Sequence, residues 1–196
     1  MVESFITLIT ATTLLLASPG PAPIALAATG ATFGTQKGLP FLFGILLGLC
    51  FAILGASVGL VTLFSQFPSL RTVFQFAGFG YMLYVAYKIG TASGLANEGG
   101  KNAPSFSDGF ILNLLNPKVY AAFFAIFTQF LLPFADTYVS YLVTGFTCFM
   151  IGLIVDVLWL MCGSLLRSIF ANPVQAKVIR LVFATSIVVS VIYALF

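Results

Sequence analysis

The chain has 196 residues, of which 60% are hydrophobic and only 7% are charged, and its formal net charge is +3. A mean hydropathy of +1.12 is far above that of an ordinary water-soluble domain, so the composition indicates an integral membrane protein and leaves almost nothing for a soluble domain. The basic residues are dispersed along the chain, which argues against a nucleic-acid-binding surface.

Six apolar runs are long enough to be membrane-spanning helices, each of which needs about 20 mainly apolar residues. The runs are continuous, whereas strands of a transmembrane barrel alternate in polarity over about ten residues, so helices are favoured. The predicted spans are Phe5 to Ala28, Phe41 to Phe64, Thr72 to Ile89, Phe110 to Leu132, Val139 to Leu166 and Val178 to Phe196. We predict an all-α, polytopic membrane protein with a single transmembrane domain over residues 1–196.

The first run is similar to a secretory signal peptide, because "FITLITATTLLLA" is apolar and "ALAA" resembles a cleavage site. The residues before it include Glu3 and no Lys or Arg, which is the wrong charge for such a signal. We therefore expect an uncleaved first helix.

Two of the predicted spans contain a helix-breaking segment. The first span is interrupted by "SPGPAP", residues 18–23, and the fourth by "NLLNPK", residues 113–118. In each segment a favourable N-cap residue, Ser18 or Asn116, is followed by a proline that suits the first position of a new helix. A simple proline kink is the alternative, but the matching cap chemistry favours breaks in helices 1 and 4.

A polar segment rich in Gly, Ser and Asn, about residues 91–107, separates three predicted spans from the other three. Sliding the second half of the chain onto the first places Pro117 on Pro19. Because each half has an odd number of spans, the halves must enter the membrane from opposite sides. We therefore predict two inverted three-helix repeats, about residues 1–95 and 108–196, with a binding site at their interface near mid-bilayer.

The two breaks are predicted to form an anion site. Each new half-helix directs its N-terminus at the break, and a helix N-terminus carries roughly half a positive charge and several free N–H groups. Lys118 adds a full positive charge one residue into the second half-helix. Together these groups suit a carboxylate.

Asp156 lies near the centre of the fifth predicted span. A charged side chain at mid-bilayer costs about 2.5 to 3.5 kcal/mol on insertion scales, so Asp156 and Lys118 both need compensation. Either they form a structural ion pair, or both face a hydrated pocket in which a zwitterion satisfies them and Asp156 couples transport to protons. The sequence leaves both interpretations open. The candidate substrate-binding residues are Ser18, Pro19, Gly20, Pro21, Asn113, Asn116, Pro117, Lys118 and Asp156.

The orientation follows from the positions of Lys and Arg. With the N-terminus outside, the outer connections hold only Arg71, and the inner ones hold Lys37, Lys88, Lys101, Arg167, Lys177 and Arg180. Because basic residues favour the cytoplasmic side, both termini are expected on the outer side.

Small residues recur every four positions in two stretches, which are Gly30, Gly34 and Gly38, and Gly44, Gly48, Ala52 and Ala56. This spacing lets helix backbones approach closely, so helix packing is the expected role. The same faces are compatible with a homodimer.

Few side chains are available for metal or redox chemistry. The sequence has no histidine and no G-x-x-x-x-G-K-[ST] loop, so we expect neither an enzyme nor a bound cofactor or metal. Cys50, Cys148 and Cys162 lie in apolar runs, where packing is their expected role. Two alternatives stay open: a thiol–disulfide electron carrier, because the half-chain alignment places Cys148 on Cys50, and a metal-ion exporter based on Asp156.

Several motifs follow one another along essentially the whole chain: P-G-P at residues 19–21, "GTQKG", "AGFGYMLYVAYK", "GFILNLLNPKVYAAFF" and an Asp-x-x-Trp in helix 5. The series resembles the LysE/RhtB family of amino-acid exporters. This resemblance implies a bacterial-type inner-membrane protein that exports amino acids or close derivatives with the proton gradient. It also implies functional roles for Pro19, Gly20, Pro21, Asn116, Pro117, Lys118 and Asp156. One departure is Ala22, where many relatives have a polar residue, which puts a side-chain ligand at this position in doubt.

Overall fold

The computed structural model describes residues 1–59, 66–91, 103–166 and 173–195, which form eight α-helices and no strand. The helices are α1 (Val2–Ala17), α2 (Pro21–Phe33), α3 (Thr35–Ser57), α4 (Pro68–Gly90), α5 (Phe106–Leu114), α6 (Pro117–Gln129), α7 (Thr137–Leu165) and α8 (Pro173–Leu195). The all-α prediction is confirmed. Most of the predicted linker, the predicted span ends at Phe64 and Phe196, and the orientation markers Lys101 and Arg167 lie outside the described residues.

Helices α3 and α7 are each long and apolar enough to cross a membrane. Two further pairs of helices are long and apolar enough when each pair is taken as one span. These pairs are α1 with α2, bent by 62°, and α5 with α6, bent by 56°. The predicted breaks in the first and fourth spans are therefore confirmed, and the described residues contain up to four candidate spans. Helices α4 and α8 cover the third and sixth predicted spans, but they are not among these four candidates. The count of six spans therefore stays a prediction.

Helix α7 has an exposed apolar side and a side that faces the bundle. Apolar side chains recur on its exposed side at Leu142, Phe146, Ile154, Leu158, Met161 and Leu165. Its buried side repeats every four residues with small or polar side chains at Ser140, Thr144, Cys148, Gly152 and Asp156. Small residues on this side allow neighbouring helices to approach closely. Asp156 therefore faces the interior of the bundle, as expected of an ionisable residue in a membrane helix.

Helix α2 lies at the centre of the bundle, because every residue from Pro21 to Thr32 is buried. Its sequence is apolar on all sides, which is typical of a fully enclosed helix. A Cβ atom at Gly30 would collide with the carbonyl oxygen of Leu160 in α7, and one at Gly163 would collide with the carbonyl oxygen of Ala27. Glycine at both positions lets α2 and α7 touch through their backbones.

Helices α3 and α5 approach each other in the same way. A Cβ at Gly44 would collide with the carbonyl of Phe106, and one at Gly109 would collide with the carbonyl of Phe41. The predicted packing role of the glycine-spaced face of α3 is confirmed. Gly34 has a different role, because it separates α2 from α3 with a φ of 83°, which favours glycine.

Candidate functional site

A small cavity lies where the two helix breaks meet. Its walls are Leu16, Ala22, Pro23, Leu49, Asn113, Asn116, Lys118, Val119, Ala122, Gly152 and Asp156. The centre of a water molecule can occupy about 30 Å³ of this space. Because one water needs about 10 to 15 Å³ on this measure, the cavity has room for about two waters. The fold thus brings residues of both breaks and the acid of α7 to one small cavity.

The second break is built by side-chain capping. Helix α5 ends at Leu114 and α6 begins at Pro117, where a missing N–H group costs nothing. Asn116 is the N-cap, and its Oδ1 accepts a hydrogen bond from the backbone N–H of Lys118 at 3.1 Å. The predicted N-cap role of Asn116 is confirmed.

The first break is built by backbone geometry. The hydroxyl of Ser18 donates to the carbonyl of Leu15 at 2.8 Å, so it points back into α1 instead of capping α2. The N-cap of α2 is Gly20, in extended backbone, and Pro21 occupies the first helical position. The predicted N-cap role of Ser18 is therefore wrong. Because Gly20 precedes a proline it is pushed out of the helical region, so α2 begins only at Pro21.

Few backbone N–H groups remain for a ligand at the two breaks. Proline has none, so Ala22 supplies the one N–H in the first three positions of α2, and no described residue accepts from it. In α6, the N–H groups of Lys118 and Val119 are already bonded to Asn116. The predicted array of several free amides is therefore wrong. Ala22, which lines the cavity, keeps an N–H group that has no acceptor among the described residues.

The ammonium of Lys118 reaches back to the first break. Its Nζ donates to the carbonyl oxygen of Ser18 at 2.6 Å and to that of Pro19 at 3.3 Å. These oxygens lie at the C-terminal end of α1, where partial negative charge favours a cation. Lys118 thereby joins the two breaks while part of its side chain lines the cavity.

Asn113 supplies an acceptor that has no partner in the protein. Its Nδ2 donates to the carbonyl of Ile45 in α3 at 2.9 Å, which fixes the orientation of the amide. Its Oδ1 is buried and has no hydrogen-bond partner among the described residues. Leaving a buried acceptor unpaired is costly, so a donor from a ligand or a water is expected at this oxygen.

The carboxylate of Asp156 is a second acceptor at the cavity. The residue is only 7% exposed, and within the described ranges its side chain has no hydrogen bond and no cationic group within 4.0 Å. The direct Lys118–Asp156 ion pair that the sequence left open is therefore absent. A buried, unpaired carboxylate is strongly unfavourable unless a cationic group or a proton joins it.

The structure separates the predicted substrate-binding residues into two groups. Asn113, Asn116, Lys118 and Asp156 line the cavity. Ser18, Pro19, Gly20, Pro21 and Pro117 do not line it and shape the breaks instead.

Sequence reasoning missed most of the apolar wall. Ala22 and Pro23 directly follow the first break, and Gly152 lies one helical turn before Asp156, so their positions could have been inferred. Leu49 comes from the middle of α3, where nothing in the local sequence distinguishes it from its neighbours.

The two alternative functions find no support in the described part of the chain. No group of three or more His, Cys, Asp or Glu side chains there could hold a metal ion. Cys50, Cys148 and Cys162 are free thiols, and the sulfur of Cys148 lies 3.6 Å from the hydroxyl of Thr12.

A model of the LysE type translocator family matches residues 13–196. A homoserine/homoserine lactone efflux protein of Salmonella typhimurium is 25% identical over 178 residues, which cover 88% of this chain and 86% of the relative. The protein of the same name from Salmonella typhi is 26% identical over 178 residues, with the same coverage. An uncharacterized membrane protein of Vibrio cholerae is 28% identical over 154 residues, which cover 76% of this chain and 74% of the relative. No solved structure matches the chain significantly.

Proposed function

Because the chain belongs to the family of LysE type translocators, we propose that it exports amino acids or close derivatives across the cytoplasmic membrane as a secondary transporter. The family match covers almost the whole chain, and the two Salmonella relatives are named efflux proteins. The protein is a membrane transport protein rather than an enzyme.

The substrate assignment rests on two acceptors that have no hydrogen-bond partner among the described residues, the carboxylate of Asp156 and the Oδ1 of Asn113. Both residues line the same cavity, and both are buried. Two acceptors without donors suit a group that brings several N–H donors and a positive charge. The α-ammonium of an amino acid is such a group, so we assign it to this side of the cavity.

The opposite end of the substrate meets the donors of the breaks. The N–H of Ala22 has no acceptor within the described part of the chain, and the ammonium of Lys118 has three N–H donors, of which two are bonded to carbonyls. These donors suit a carboxylate. They also suit a neutral ester carbonyl, which a lactone would present. A zwitterion therefore matches the charges on both sides.

The apolar wall limits the substrate side chain. Leu16, Leu49, Val119 and Ala122 offer no hydrogen-bonding side-chain atom, and a Cβ at Gly152 would collide with Leu49. A small uncharged side chain is favoured over a charged or aromatic one. Homoserine and its lactone, for which the Salmonella relatives are named, meet this requirement, and we propose them as the first substrates to test.

The two bent helix pairs support an arrangement of six spans in two inverted repeats. The positions of Lys and Arg favour both termini on the outer side. Each bent pair precedes one long apolar helix, α3 or α7, and then a further helix, α4 or α8. This order is the same in both halves of the chain. Inverted repeats around a central site are typical of transporters that work by alternating access.

Transport requires the cavity to widen, because a space for about two waters cannot contain an amino acid. Asp156 is the proposed coupling group, since a buried carboxylate can exchange an ammonium for a proton. Substrate would leave Asp156 toward the outside, and a proton from the outside would then bind Asp156. The site without substrate would afterwards open again toward the cytoplasm.

Efflux from preloaded proteoliposomes tests the proposal. The panel contains homoserine, homoserine lactone, leucine, lysine and glutamate, each measured with and without an imposed pH gradient. We expect homoserine export that the gradient accelerates, with lysine and glutamate much slower. N-acetylhomoserine is the matched control, because it lacks the ammonium and should not be exported. Equal export of the acetylated compound would contradict the role of Asp156.

A further inference from the structure

Gly20 and Lys118 lie in direct contact, although they belong to different halves of the chain. A Cβ atom at Gly20 would lie 2.9 Å from both Cδ and Nζ of Lys118. Gly20 itself has a φ of −167°, an extended conformation that any residue adopts. A side chain at this position would therefore displace the end of Lys118, and the backbone conformation of Gly20 does not require glycine.

The carbonyls that Lys118 binds lack their usual helical partners. In an uninterrupted helix each carbonyl accepts from the N–H four residues later. For Pro19 that residue is Pro23, which has no N–H, and for Ser18 it is Ala22, whose N–H is not bonded to it. Lys118 supplies donors to both oxygens at 2.6 and 3.3 Å. One side chain from the second break thus completes the end of α1 at the first.

We propose that Gly20 and Lys118 form an interlock that holds the two helix breaks together while the cavity is empty, and that a substrate carboxylate loosens it. Lys118 is then a positioning residue in the empty protein and a ligand in the loaded one. The second part rests on the proposed function, whereas the first part does not.

The loosening follows from the chemistry of the acceptors. In a hydrogen bond between an ammonium and a carboxylate both partners are charged. This bond is therefore stronger than a bond from the same ammonium to a neutral carbonyl. Lys118 lines the cavity, so a bound carboxylate and the carbonyls of Ser18 and Pro19 compete for the same three N–H groups. Substrate entry therefore weakens the connection between the breaks at the moment when the cavity must widen.

A double-mutant cycle on the full chain in detergent, without substrate, tests the interlock. Gly20→Ala should lower the apparent Tm by about 5 °C in the otherwise unchanged protein, because the added methyl displaces Lys118. In a Lys118→Ala background the same change should have no measurable effect. Gly80→Ala is the matched control, because nothing lies within 4 Å of a Cβ at that position. Equal losses from Gly20→Ala in both backgrounds would overturn the interlock. If Lys118→Ala does not fold, Lys118→Ser, which also lacks the Cδ and Nζ atoms, replaces it with the same criterion.

Repeating the cycle with saturating homoserine tests the loosening. Gly20→Ala lowers the Tm by different amounts in the Lys118 and Lys118→Ala backgrounds. With homoserine bound, this difference in Tm loss should fall to less than half of its value in the empty protein. An unchanged difference, in a protein whose Tm homoserine does raise, would overturn the loosening and leave the proposed function intact. Failure of every panel amino acid to raise the Tm or to be exported would overturn the proposed function and the loosening together. The cycle on the empty protein decides the interlock independently of both results.

Discussion

The two helix breaks bend the chain by similar angles, 62° and 56°, but they are built from different chemistry. The first break has an extended Gly20 before Pro21 and no side-chain cap. The second break has the side chain of Asn116 as a cap, followed by the ammonium of Lys118. The first break therefore presents backbone groups, and the second supplies one side chain, that of Lys118, which reaches them.

This difference bears on what the site can recognise. Two chemically equal breaks would offer the same partial charge from both sides, which suits a symmetrical ligand. Here the residues that line the cavity include both donors, at Ala22 and Lys118, and the acceptors of Asp156 and Asn113. An amino acid likewise has a cationic end and an anionic end. The chemical difference between the breaks therefore favours a zwitterion over a simple anion.

The largest expected effect comes from the acid that both breaks face. Asp156→Asn should lower homoserine export by about 100-fold or more, because the substrate ammonium loses its charged partner. Membrane insertion should be unchanged. Asp136→Asn is the matched control, since Asp136 is the exposed N-cap of α7 and Asn is an equally good cap. Reconstituted efflux measures both variants, and normal export by Asp156→Asn would contradict the site.

The next largest effect tests whether the second break supplies the contact between the breaks. Lys118→Gln should lower export by about 10-fold or more, because it removes the charge that faces both the α1 carbonyls and the substrate carboxylate. Lys37→Gln, at an exposed position in the first turn of α3, should export normally. If the two lysine variants behaved alike, Lys118 would have no special role.

A smaller effect is expected at the unpaired amide. Asn113→Leu should raise the KM for homoserine about 10-fold and change the maximal rate less, because it removes an acceptor for the bound ammonium. Asn113→Asp keeps an acceptor but loses the Nδ2 that donates to Ile45, so its KM should lie between those of Asn113→Leu and the unchanged protein. Concentration dependence of efflux measures both. A KM unaffected by Asn113→Leu would exclude this oxygen from the site.

The smallest effect compares the caps directly. Asn116→Ala should lower the free energy of unfolding by about 1 kcal/mol, because it removes the side chain that caps α6. Ser18→Ala should lower it by less than about 0.5 kcal/mol, since the Ser18 hydroxyl bonds only within its own helix end. Thermal unfolding in detergent gives the order of the two variants, and a larger loss at Ser18 would reverse the comparison.

The sequence predicted the positions of the breaks but not how the first one is built. Proline chemistry is local, so the presence of Pro19, Pro21 and Pro117 was enough to expect interruptions. The choice between Ser18 and Gly20 as cap depended on which of several closely spaced prolines starts the helix. The role of Gly20 could not be predicted, because it depends on Lys118, a residue from the other half of the chain.

The sequence by itself determined that this protein lies in a membrane, that its helices 1 and 4 are broken, and that Lys118 and Asp156 need compensation. These conclusions depend on hydropathy, backbone chemistry and the cost of burying charge, all of which act locally along the chain. Only the tertiary structure decided that Lys118 binds the carbonyls of the first break instead of Asp156, and that Asn113 keeps an unpaired oxygen and lines the same cavity as that acid. Such choices among partners depend on distances between helices far apart in sequence, which no local pattern specifies.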